Sequence, residues 1–312
     1  MYNQKSAIFS CLGLGDGLIA LILSNNLHLN GYQTTTFHPF LDSLQDWFPH
    51  LPLKTFPKED SLLLDLNGYD RFYIFFEKSP WMEKIIRFCQ SNFPDKTVII
   101  NPIATKNTDY PYWENARFNG ELPFVDNLTN FCRDILTLPV HTKENGIEPS
   151  DKWERRRCPN RIIIHPTSSR PGKNWAQEKF IKLAYQLEKK GFEPFFILTE
   201  EERKNWAGKD FLSPQFLNLS DLAGFIYESG WMIGNDSGIG HLASCLGIKT
   251  LTIARNHKTS SFWRPSWSMG IVVHPPIWIP NIKGIRWRDK QWQKWISVGQ
   301  AVRAFKHLIN AN

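Results

Sequence analysis

The chain has no apolar run long enough to cross a membrane, and its cysteines are few and scattered. The apolar stretch at residues 7–23 is interrupted by Gly-Asp-Gly and lacks the basic segment and cleavage site of a signal peptide. The five cysteines form no Cys-x-x-Cys pair and no zinc-binding spacing, which is typical of reduced thiols. These absences predict a cytoplasmic protein without disulfides or a cysteine-bound metal.

The composition is that of a folded protein with a surplus of positive charge. Apolar residues make up 42% of the 312 residues and aromatic residues 14%, which excludes a disordered chain. The net charge of +7 fits an anionic partner such as a phosphorylated sugar, an anionic lipid or a nucleic acid. It fits equally well the mild basicity of many proteins that have no such partner, so both interpretations stay open.

Strand and helix patterns alternate through both halves of the chain. In the first half we predict strands at residues 6–12, 32–38, 70–76 and 96–101, and helices at 16–30, 81–92 and 126–138. In the second half we predict strands at 161–165, 192–199, 216–219, 231–233 and 250–254, and helices at 176–190, 200–207, 220–228, 238–246 and 297–309, the last with a Ser297/Gln300 capping box. Such alternation predicts mostly parallel sheets covered by helices on both faces.

Proline and glycine mark the boundary between the halves. Residues 139–160 contain three prolines, a glycine and a run of charges at 154–157, which is typical of an interdomain linker. Residues 103–124 show little periodicity and are predicted to form a long loop near a cleft. We therefore predict an α/β protein with two Rossmann-like α/β/α domains facing a central cleft, at residues 1–150 and 151–290, and a C-terminal helix at 291–312 that closes across them.

The segment at residues 232–247 is the most informative part of the sequence. An apolar strand runs into Gly-Asn-Asp-Ser-Gly, and a short helix follows. Gly234, Gly238 and Gly240 let the backbone turn sharply and approach a ligand closely. Either Asp236 or Ser237 can cap the helix, whose free N–H groups and positive dipole end attract an anion. The pattern predicts a site for a nucleotide diphosphate.

Three motifs together resemble a known family. They are Gly13-Leu-Gly-Asp16-Gly after the first strand, His165-Pro-Thr-Ser-Ser169 with Lys173-Asn-Trp175, and Gly234-Asn-Asp-Ser-Gly-Ile-Gly-His-Leu-Ala243. Their order and separation resemble the ADP-heptose:lipopolysaccharide heptosyltransferases, which are glycosyltransferases of family 9 with the GT-B fold. The resemblance implies an inverting, metal-independent enzyme whose C-terminal domain binds a nucleotide-diphospho sugar, with ADP-heptose favoured. The N-terminal domain would bind the acceptor, a lipopolysaccharide core or a related glycan or protein.

Asp16 follows a glycine-rich turn at the start of a helix, where a carboxylate can simply offset the helix dipole. The resemblance implies a second role, that of the general base that removes a proton from the attacking acceptor hydroxyl. Closure of the domains would then bring Asp16 opposite the anomeric carbon and exclude water from the activated sugar.

The loop after the strand at 161–165 carries hydroxyl groups and a lysine suited to phosphate oxygens. Thr167, Ser168 and Ser169 can hold phosphate, and Lys173 can neutralise charge on the leaving diphosphate. A solvated polar loop is the alternative, although the Lys-x-Trp element matches the family, which often has Pro where Ala176 stands here. There is no Asp-x-Asp pair of the kind that holds a divalent ion on a sugar nucleotide, so no metal and no other cofactor is predicted.

Three glutamates begin the helix after the strand at 192–199, at a position where acidic residues are favoured anyway. The resemblance implies that one of them binds the ribose hydroxyls of the donor. A carboxylate can accept two hydrogen bonds from a cis-diol, which makes this role physically sensible. Among Glu200, Glu201 and Glu202 we choose Glu200, with Glu202 as the alternative.

The turn at residues 234–238 supplies the remaining candidate donor-binding residues. The resemblance implies that Asp236 contacts the donor, facing sugar hydroxyls while the amides of Ser237 and Gly238 face the phosphate. His241 lies one turn into the following helix, near the phosphate or the sugar. It is either a structural histidine or a residue that faces the ligand.

The last third of the chain combines basic residues with tryptophans. They are Arg255, His257, Lys258 and Arg264, and then Lys283, Arg286, Arg288, Lys290 and Lys294 among Trp278, Trp287, Trp292 and Trp295. This pattern fits a packed segment with solvated charges, a surface in contact with an anionic membrane near a lipid-linked acceptor, or a site that binds nucleic acid. The packed segment is the first interpretation, peripheral contact with the cytoplasmic face of the inner membrane is the second, and nucleic acid is the least favoured partner.

Two other functions fit the same sequence. One is a GT-B-like sugar-nucleotide epimerase, a chemistry that usually needs extra acidic residues and a histidine in the cleft. The other is a catalytically idle scaffold that binds a sugar nucleotide without turnover. Formation of an epimer, or release of free nucleotide without an acceptor, would indicate the first. Tight donor binding without turnover would indicate the second.

Overall fold

The computed structural model describes residues 4–101, 118–208, 210–282 and 285–311. The chain divides into two compact units, Met1–Ser150 and Asp151–Asn312. Each unit contains a five-stranded sheet in which all pairings between neighbouring strands are parallel. Within the described ranges, no helix combines the length and the apolar character that crossing a membrane requires.

In the first unit, strands and helices alternate along the chain. They are β1 (Lys5–Phe9), α1 (Leu14–Leu29), β2 (Gln33–Phe37), β3 (Leu53–Lys54), α2 (Leu62–Leu66), β4 (Arg71–Phe75), α3 (Pro80–Asn92), β5 (Thr97–Ile100) and α4 (Phe124–Asn130), with 3-10 turns at Leu41–Trp47, Glu59–Ser61 and Pro94–Lys96 and a π-helical turn at Phe131–Ile135. The strand order is β3-β2-β1-β4-β5. The chain therefore builds the sheet outward from β1 in one direction and then in the other, so the order reverses between β1 and β4.

Helix α1 is the centre of the first unit. Its residues from Gly17 to Leu27 are buried, as expected for a helix that is apolar on nearly all sides. Gly31 follows its end with a φ of +83°, a conformation that glycine adopts without strain. Helix α3 begins with Pro80 in its first turn, and the Ser79 side chain accepts a hydrogen bond from the N–H of Met82. Both helices lie where the sequence predicts them.

The second unit repeats the alternation. Its elements are β6 (Cys158–His165), α5 (Gln177–Glu188), β7 (Glu193–Phe196), α6 (Glu200–Lys204), α7 (Leu219–Tyr227), β8 (Ser229–Asn235), α8 (Gly238–Cys245), β9 (Lys249–Ile253), α9 (His257–Trp263), β10 (Gly270–Val273), α10 (Trp287–Lys290), α11 (Trp292–Trp295) and α12 (Val298–Asn310), with a 3-10 turn at Pro171–Lys173. The strand order is β10-β9-β8-β6-β7. Here the order reverses between β6 and β8, because β7 lies on one side of β6 and all later strands lie on the other.

Helix α12 belongs to the core of the second unit. The predicted capping box is confirmed: the Ser297 Oγ accepts a hydrogen bond from the N–H of Gln300 at 3.1 Å, and the Gln300 side chain accepts one from the N–H of Ser297 at 2.7 Å. Phe305 packs edge-on against Trp231 of β8, with ring centroids 5.4 Å apart. The helix thus covers its own unit's sheet, and its predicted closure across the two domains stays a prediction.

Three parts of the sequence prediction need correction or completion. The strand predicted at residues 216–219 is wrong, because the Asn218 side chain accepts a hydrogen bond from the N–H of Asp221 at 2.8 Å and starts α7 instead. The stretch after residue 254, for which no regular structure is predicted, contains α9 and β10. Of the loop predicted at 103–124, residues 103–117 lie outside the described residues, and Phe124 begins α4.

Candidate functional site

The candidate donor site lies in the second unit, where the strand order reverses. His165, the last residue of β6, is the register partner of Gly234 near the end of β8. Ligands of open parallel sheets bind beyond the carboxyl ends of the strands at such a reversal, because the chains leaving the two strands diverge and open a crevice. The loop at 166–175 follows β6, and the turn at 236–237 joins β8 to α8.

Asn235, at the end of β8, ties these two segments together. Its side-chain Nδ2 donates a hydrogen bond to the Pro166 carbonyl at 2.5 Å, and its Oδ1 accepts one from the N–H of Trp175 at 2.9 Å. The residue is buried, so both bonds are shielded from water. The sequence analysis missed this role. An Asn between an apolar strand and Asp-Ser-Gly is a signal of a side chain that forms hydrogen bonds with backbone groups.

Lys173 and Asp236 meet across the crevice. The Lys173 Nζ lies 3.2 Å from the Asp236 Oδ2, with the carboxylate mostly buried and the ammonium partly exposed. The loop that carries Lys173 is also held from behind, because the Trp292 Nε1 donates to the Gly172 carbonyl at 3.1 Å and the Gln293 Nε2 donates to the Asn174 carbonyl at 2.7 Å. The lysine therefore stands on a braced loop beside the turn.

Two buried polar atoms of this site have no hydrogen-bond partner: the Ser237 Oγ and the His241 Nδ1. Burial without a partner costs free energy of about 1–3 kcal/mol per group, so such atoms are rare unless a ligand satisfies them. Burial also lowers the pKa of His241, and the imidazole is therefore neutral at neutral pH, with a backbone hydrogen bond to Trp263. Both atoms belong to residues predicted to bind the donor.

The predicted side-chain cap of α8 is not formed. Ser237 occupies the N-cap position, yet its hydroxyl makes no capping hydrogen bond, and the Asp236 carboxylate contacts Lys173 instead. Gly238 is the first residue of the helix. The N–H groups of this first turn are thus left without a side-chain cap, which suits an incoming anion.

The other residues that are predicted to bind the sugar-nucleotide donor differ in their contacts and in their exposure. Ser168 is committed within its own loop, since its Oγ lies 2.6 Å from the Asn174 Oδ1, whereas Ser169 is exposed. Glu202 belongs to a capping box in which its carboxylate accepts a hydrogen bond from the N–H of Thr199 at 2.8 Å. Partial burial alone would raise the pKa of Glu202, but this bond, together with a hydrogen bond to the Thr167 side chain, holds the pKa below the usual value. Glu200 is exposed on the first turn of α6.

In the first unit, the Gly-Asp loop also lies at the reversal of strand order, after β1 and next to the end of β4. Helix α1 starts at Leu14, two residues earlier than predicted, so Asp16 stands in its first turn. A Cβ atom on Gly13 would lie only 2.5 Å from the Asp16 Oδ2, which shows how closely the carboxylate folds over the loop. A side chain at position 13 would therefore displace the Asp16 carboxylate from this position.

Two side chains that the sequence analysis did not single out hold this loop. The Glu77 Oε2, just beyond β4, accepts a hydrogen bond from the N–H of Leu12 at 2.7 Å. The Nδ1 of buried His38 faces the N–H groups of Phe40 and Leu41, each at 3.2 Å, so the proton is on Nε2, which donates to the Gly13 carbonyl at 3.2 Å. Burial lowers the pKa of His38 to about 4 and keeps it neutral.

The pKa of the Cys11 thiol depends on the charges around the same loop. Burial raises the pKa of its thiol well above the usual value, and the nearby carboxylates of Asp16 and Glu77 raise it further. The two carboxylates therefore share one region at the carboxyl ends of β1 and β4. Among the described residues, no group of three or more His, Cys, Asp or Glu side chains is placed to hold a metal ion.

The basic, Trp-rich part of the chain falls into two regions. Trp292 is buried in the core of the second unit, and Trp295 is half-buried, so this region is packed as a structural segment. Trp278 and Trp287 are exposed instead. The basic residues Arg255, His257, Lys258, Arg286, Lys290 and Lys294 are exposed, Arg264 and Arg288 are half-buried, and Lys283 lies outside the described residues.

Comparison with protein families gives a match to this part of the molecule. The model of glycosyltransferase family 9 (heptosyltransferase) matches residues 123–274, which include β6, the Lys173 loop, β8 and the turn before α8. No curated protein sequence matches the chain.

Solved structures share the fold over nearly the whole chain. A glycosyltransferase family 9 protein from Veillonella parvula has a TM-score of 0.67 at 17% identity, covering 98% of this chain and 97% of the other. The E. coli ADP-heptose lps heptosyltransferase II has a TM-score of 0.64 at 15% identity, covering 98% of each chain. E. coli heptosyltransferase WaaC, solved with ADP-2-deoxy-2-fluoro heptose, has a TM-score of 0.64 at 12% identity, covering 99% and 100%. The predicted GT-B fold is confirmed by these likenesses, and the match over residues 123–274 shows a domain of glycosyltransferase family 9 (heptosyltransferase) in that part of the chain.

Proposed function

We propose that this glycosyltransferase transfers a heptose, or a closely similar sugar, from ADP-heptose to a lipopolysaccharide core or a related glycan acceptor. One observation carries the proposal: two buried polar atoms without partners, on Ser237 and His241, belong to the segment that begins where Asp236 meets Lys173. A diphosphate and sugar would satisfy these atoms. The solved relatives named heptosyltransferases, one of them with a bound ADP-heptose analogue, support this choice of donor.

In this proposal the leaving diphosphate is stabilised without a metal ion. The Lys173 ammonium and the free N–H groups at the start of α8, including those of Ser237 and Gly238, offset its developing negative charge. Asp236 faces the sugar hydroxyls, and the neutral His241 offers its unpartnered Nδ1 to the ligand. Glu200 remains our candidate for the ribose hydroxyls, because the carboxylate of Glu202 already caps α6.

The proposed reaction inverts the anomeric carbon in a single displacement. Asp16 accepts the proton of the acceptor hydroxyl as its oxygen forms a bond to the anomeric carbon, and the bond from that carbon to the diphosphate oxygen breaks. The negative charge leaves with ADP. The hydrogen bond from the Leu12 N–H to Glu77 and the one from His38 to the Gly13 carbonyl support the role of Asp16, because they fix the segment that presents its carboxylate.

We also propose that the acceptor is lipid-linked and that the protein works as a peripheral protein at the cytoplasmic face of the inner membrane. Exposed tryptophans close to exposed lysines and arginines in the last third of the chain support this location. Binding of nucleic acid is not part of the proposal, because the exposed tryptophans stand beside exposed isoleucines, which cannot stack on bases.

The donor site can be tested by calorimetric titration with ADP, UDP, GDP and CDP in the absence of added metal. We expect selective binding of ADP, and a loss of affinity of about tenfold or more in the Lys173→Ala, Asp236→Ala double variant, because a charge-assisted contact to the diphosphate is removed. The matched control is Lys84→Ala with Glu59→Ala, which removes an exposed ion pair of the first unit.

Each result of this titration leads to a different conclusion. Unchanged ADP affinity in the Lys173→Ala, Asp236→Ala variant would remove both residues from the donor site. Preference for another nucleotide would replace ADP-heptose as the donor. A separate incubation with ADP-heptose and an acceptor tests the two other functions: formation of an epimer would favour the epimerase, and tight donor binding without turnover would favour an idle scaffold.

A further inference from the structure

Residues 277–282 and 285–287, here called the exposed loop, present large apolar side chains to solvent. Ile277 is 83% exposed and Trp278 is 76% exposed. Ile282, Ile285 and Trp287 are exposed as well. Single exposed apolar side chains are common, but a contiguous group of them usually marks a surface that meets a partner or a membrane.

The exposed loop is held in place by its own contacts. Within the loop, the Ile279 side chain is buried, and the Arg288 guanidinium donates a hydrogen bond to the Ile277 carbonyl at 2.9 Å. The N–H of Arg288 donates to the Pro280 carbonyl at 3.2 Å, and Ile282 and Ile285 form an antiparallel bridge with two bonds of 3.0 Å. The outward direction of Ile277 and Trp278 is therefore part of a hydrogen-bonded structure.

The surroundings of the exposed loop are positively charged. The sequence from 277 to 296 contains five Lys or Arg residues and a single acidic residue, Asp289. Asp289 is buried and its carboxylate lies 3.4 Å from the Arg286 guanidinium, so it adds little negative charge at the surface. Lys290 and Lys294 are exposed. An apolar surface with a cationic border is complementary to a bilayer that contains anionic lipids.

We propose that the exposed loop is the membrane-docking element of this protein. Ile277, Trp278 and their apolar neighbours insert into the interfacial region of an anionic bilayer, while Lys290 and Lys294 contact the lipid headgroups. Tryptophan suits this depth, because its ring is apolar and its N–H can reach the headgroup layer. The inference rests on the proposed peripheral contact with the membrane and is independent of the sugar that is transferred.

Docking at this loop would also bring the donor site towards the membrane. The chain runs from the exposed loop through α10 into α11, where Trp292 is only 2% exposed and its Nε1 donates a hydrogen bond to the Gly172 carbonyl next to Lys173. Gln293 holds the same loop through the Asn174 carbonyl. The docking element and the lysine of the donor site are thus joined by a short, packed segment, which suits transfer to a lipid-linked acceptor.

Flotation of the full chain with lipid vesicles tests the proposal. We expect binding to vesicles of phosphatidylcholine mixed with phosphatidylglycerol and much weaker binding to phosphatidylcholine alone. The double variant Ile277→Ser, Trp278→Ser should lower the vesicle partition coefficient by about tenfold or more, because two large apolar side chains no longer leave water. The control is Leu217→Ser, which removes an apolar side chain that is 97% exposed elsewhere in the same unit.

A charge variant tests the cationic border separately. Lys290→Glu with Lys294→Glu should weaken binding to the phosphatidylglycerol vesicles, and added salt should weaken binding of the unmodified chain. Unchanged ADP binding in all variants would show that the loss concerns docking and not the donor site, so the two proposals can fail independently. Absence of vesicle binding by the unmodified chain would overturn the proposal. A dimer that dissociates in the Ile277→Ser, Trp278→Ser variant, without vesicle binding, would show an interface between copies instead.

Discussion

Each unit has a crevice where its strand order reverses, but the hydrogen bonding of the residues at the two crevices differs. In the first unit, the loop between β1 and α1 is held by Glu77 and His38, which bond to Leu12 and Gly13. In the second unit, the segment that follows β8 contains two buried polar atoms without partners, on Ser237 and His241. A buried polar group normally has a hydrogen-bond partner, so the second crevice is an incomplete site whose polar atoms lack such partners. The first crevice instead carries a loop that is fixed by hydrogen bonds.

This difference indicates that the two crevices have different roles. A base must be held at a defined position before the substrate arrives, and Glu77 and His38 hold the loop that carries the proposed base, Asp16. A binding site must leave donors and acceptors free for its ligand, and unpartnered atoms on Ser237 and His241 provide them. The fixed loop therefore suits proton transfer, and the unsatisfied turn suits the sugar nucleotide.

The largest expected effect comes from removing the proposed base from the fixed loop. Asp16→Asn should lower the rate of transfer by about 10²–10⁴-fold, because an amide has nearly the same shape but cannot accept the proton. Donor affinity should change by no more than a few-fold. The measurement is release of ADP from ADP-heptose with heptose-deficient lipopolysaccharide core as acceptor, together with ADP titration.

The matched control for this prediction is Asp42→Asn, which neutralises an exposed carboxylate of the same unit. Full activity of the Asp16→Asn variant would show that another group takes the proton. A parallel loss of donor affinity would show that Asp16 supports binding, and the proposed difference in roles would then be wrong.

Much of the fold could be predicted because local signals and tertiary structure agree. The mostly apolar residues 17–27 predict a helix, and burial on nearly all sides is what such a helix needs. Ser297 and Gln300 predict the start of α12 because capping depends on two residues three positions apart. The strand predicted at 216–219 failed because the capping preference of Asn218 outweighed the strand preference of its neighbours.

The candidate site could be predicted only in part, because its supporting contacts are long-range. Glycines and an Asp in a strand-to-helix turn are visible in the sequence, and so is the Lys-x-Trp element. The contact of Glu77 with Leu12 joins residues 65 positions apart, and that of Trp292 with Gly172 joins residues 120 positions apart. A single sequence carries no signal for such pairs, since nothing local requires them.

A smaller effect concerns the pH dependence of the fixed loop. His38 is neutral when folded, with a pKa lowered to about 4 by burial, whereas in the unfolded chain its pKa is near 6.5. The unfolded state therefore binds the proton first, and the free energy of unfolding falls as the pH drops from 6.5 towards 4. The loss should reach about 3 kcal/mol at the acidic end of this range.

Denaturant unfolding across this pH range, for the unmodified chain and for His38→Asn, measures the effect. The Asn side chain can still accept from the N–H groups of Phe40 and Leu41 but does not titrate, so the variant should lose less stability on acidification. His50→Asn, which removes an exposed imidazole of the same unit, is the control. Equal losses in the His38→Asn variant and the unmodified chain would mean that the imidazole is not what makes the loop sensitive to acid.

The smallest effect on stability is expected in the second crevice, and it distinguishes the two crevices most directly. Ser237→Ala removes a hydroxyl that has no partner, so the free energy of unfolding should change by less than about 0.5 kcal/mol, while ADP affinity should fall by up to about tenfold. Glu77→Ala should do the reverse, costing about 1–2 kcal/mol of stability because the N–H of Leu12 loses its acceptor, with ADP affinity unchanged. Thermal unfolding and ADP titration of both variants would show this crossing pattern. A stability cost for Ser237→Ala equal to that for Glu77→Ala would mean that the Ser237 hydroxyl is satisfied within the protein, and the turn would no longer qualify as an incomplete site.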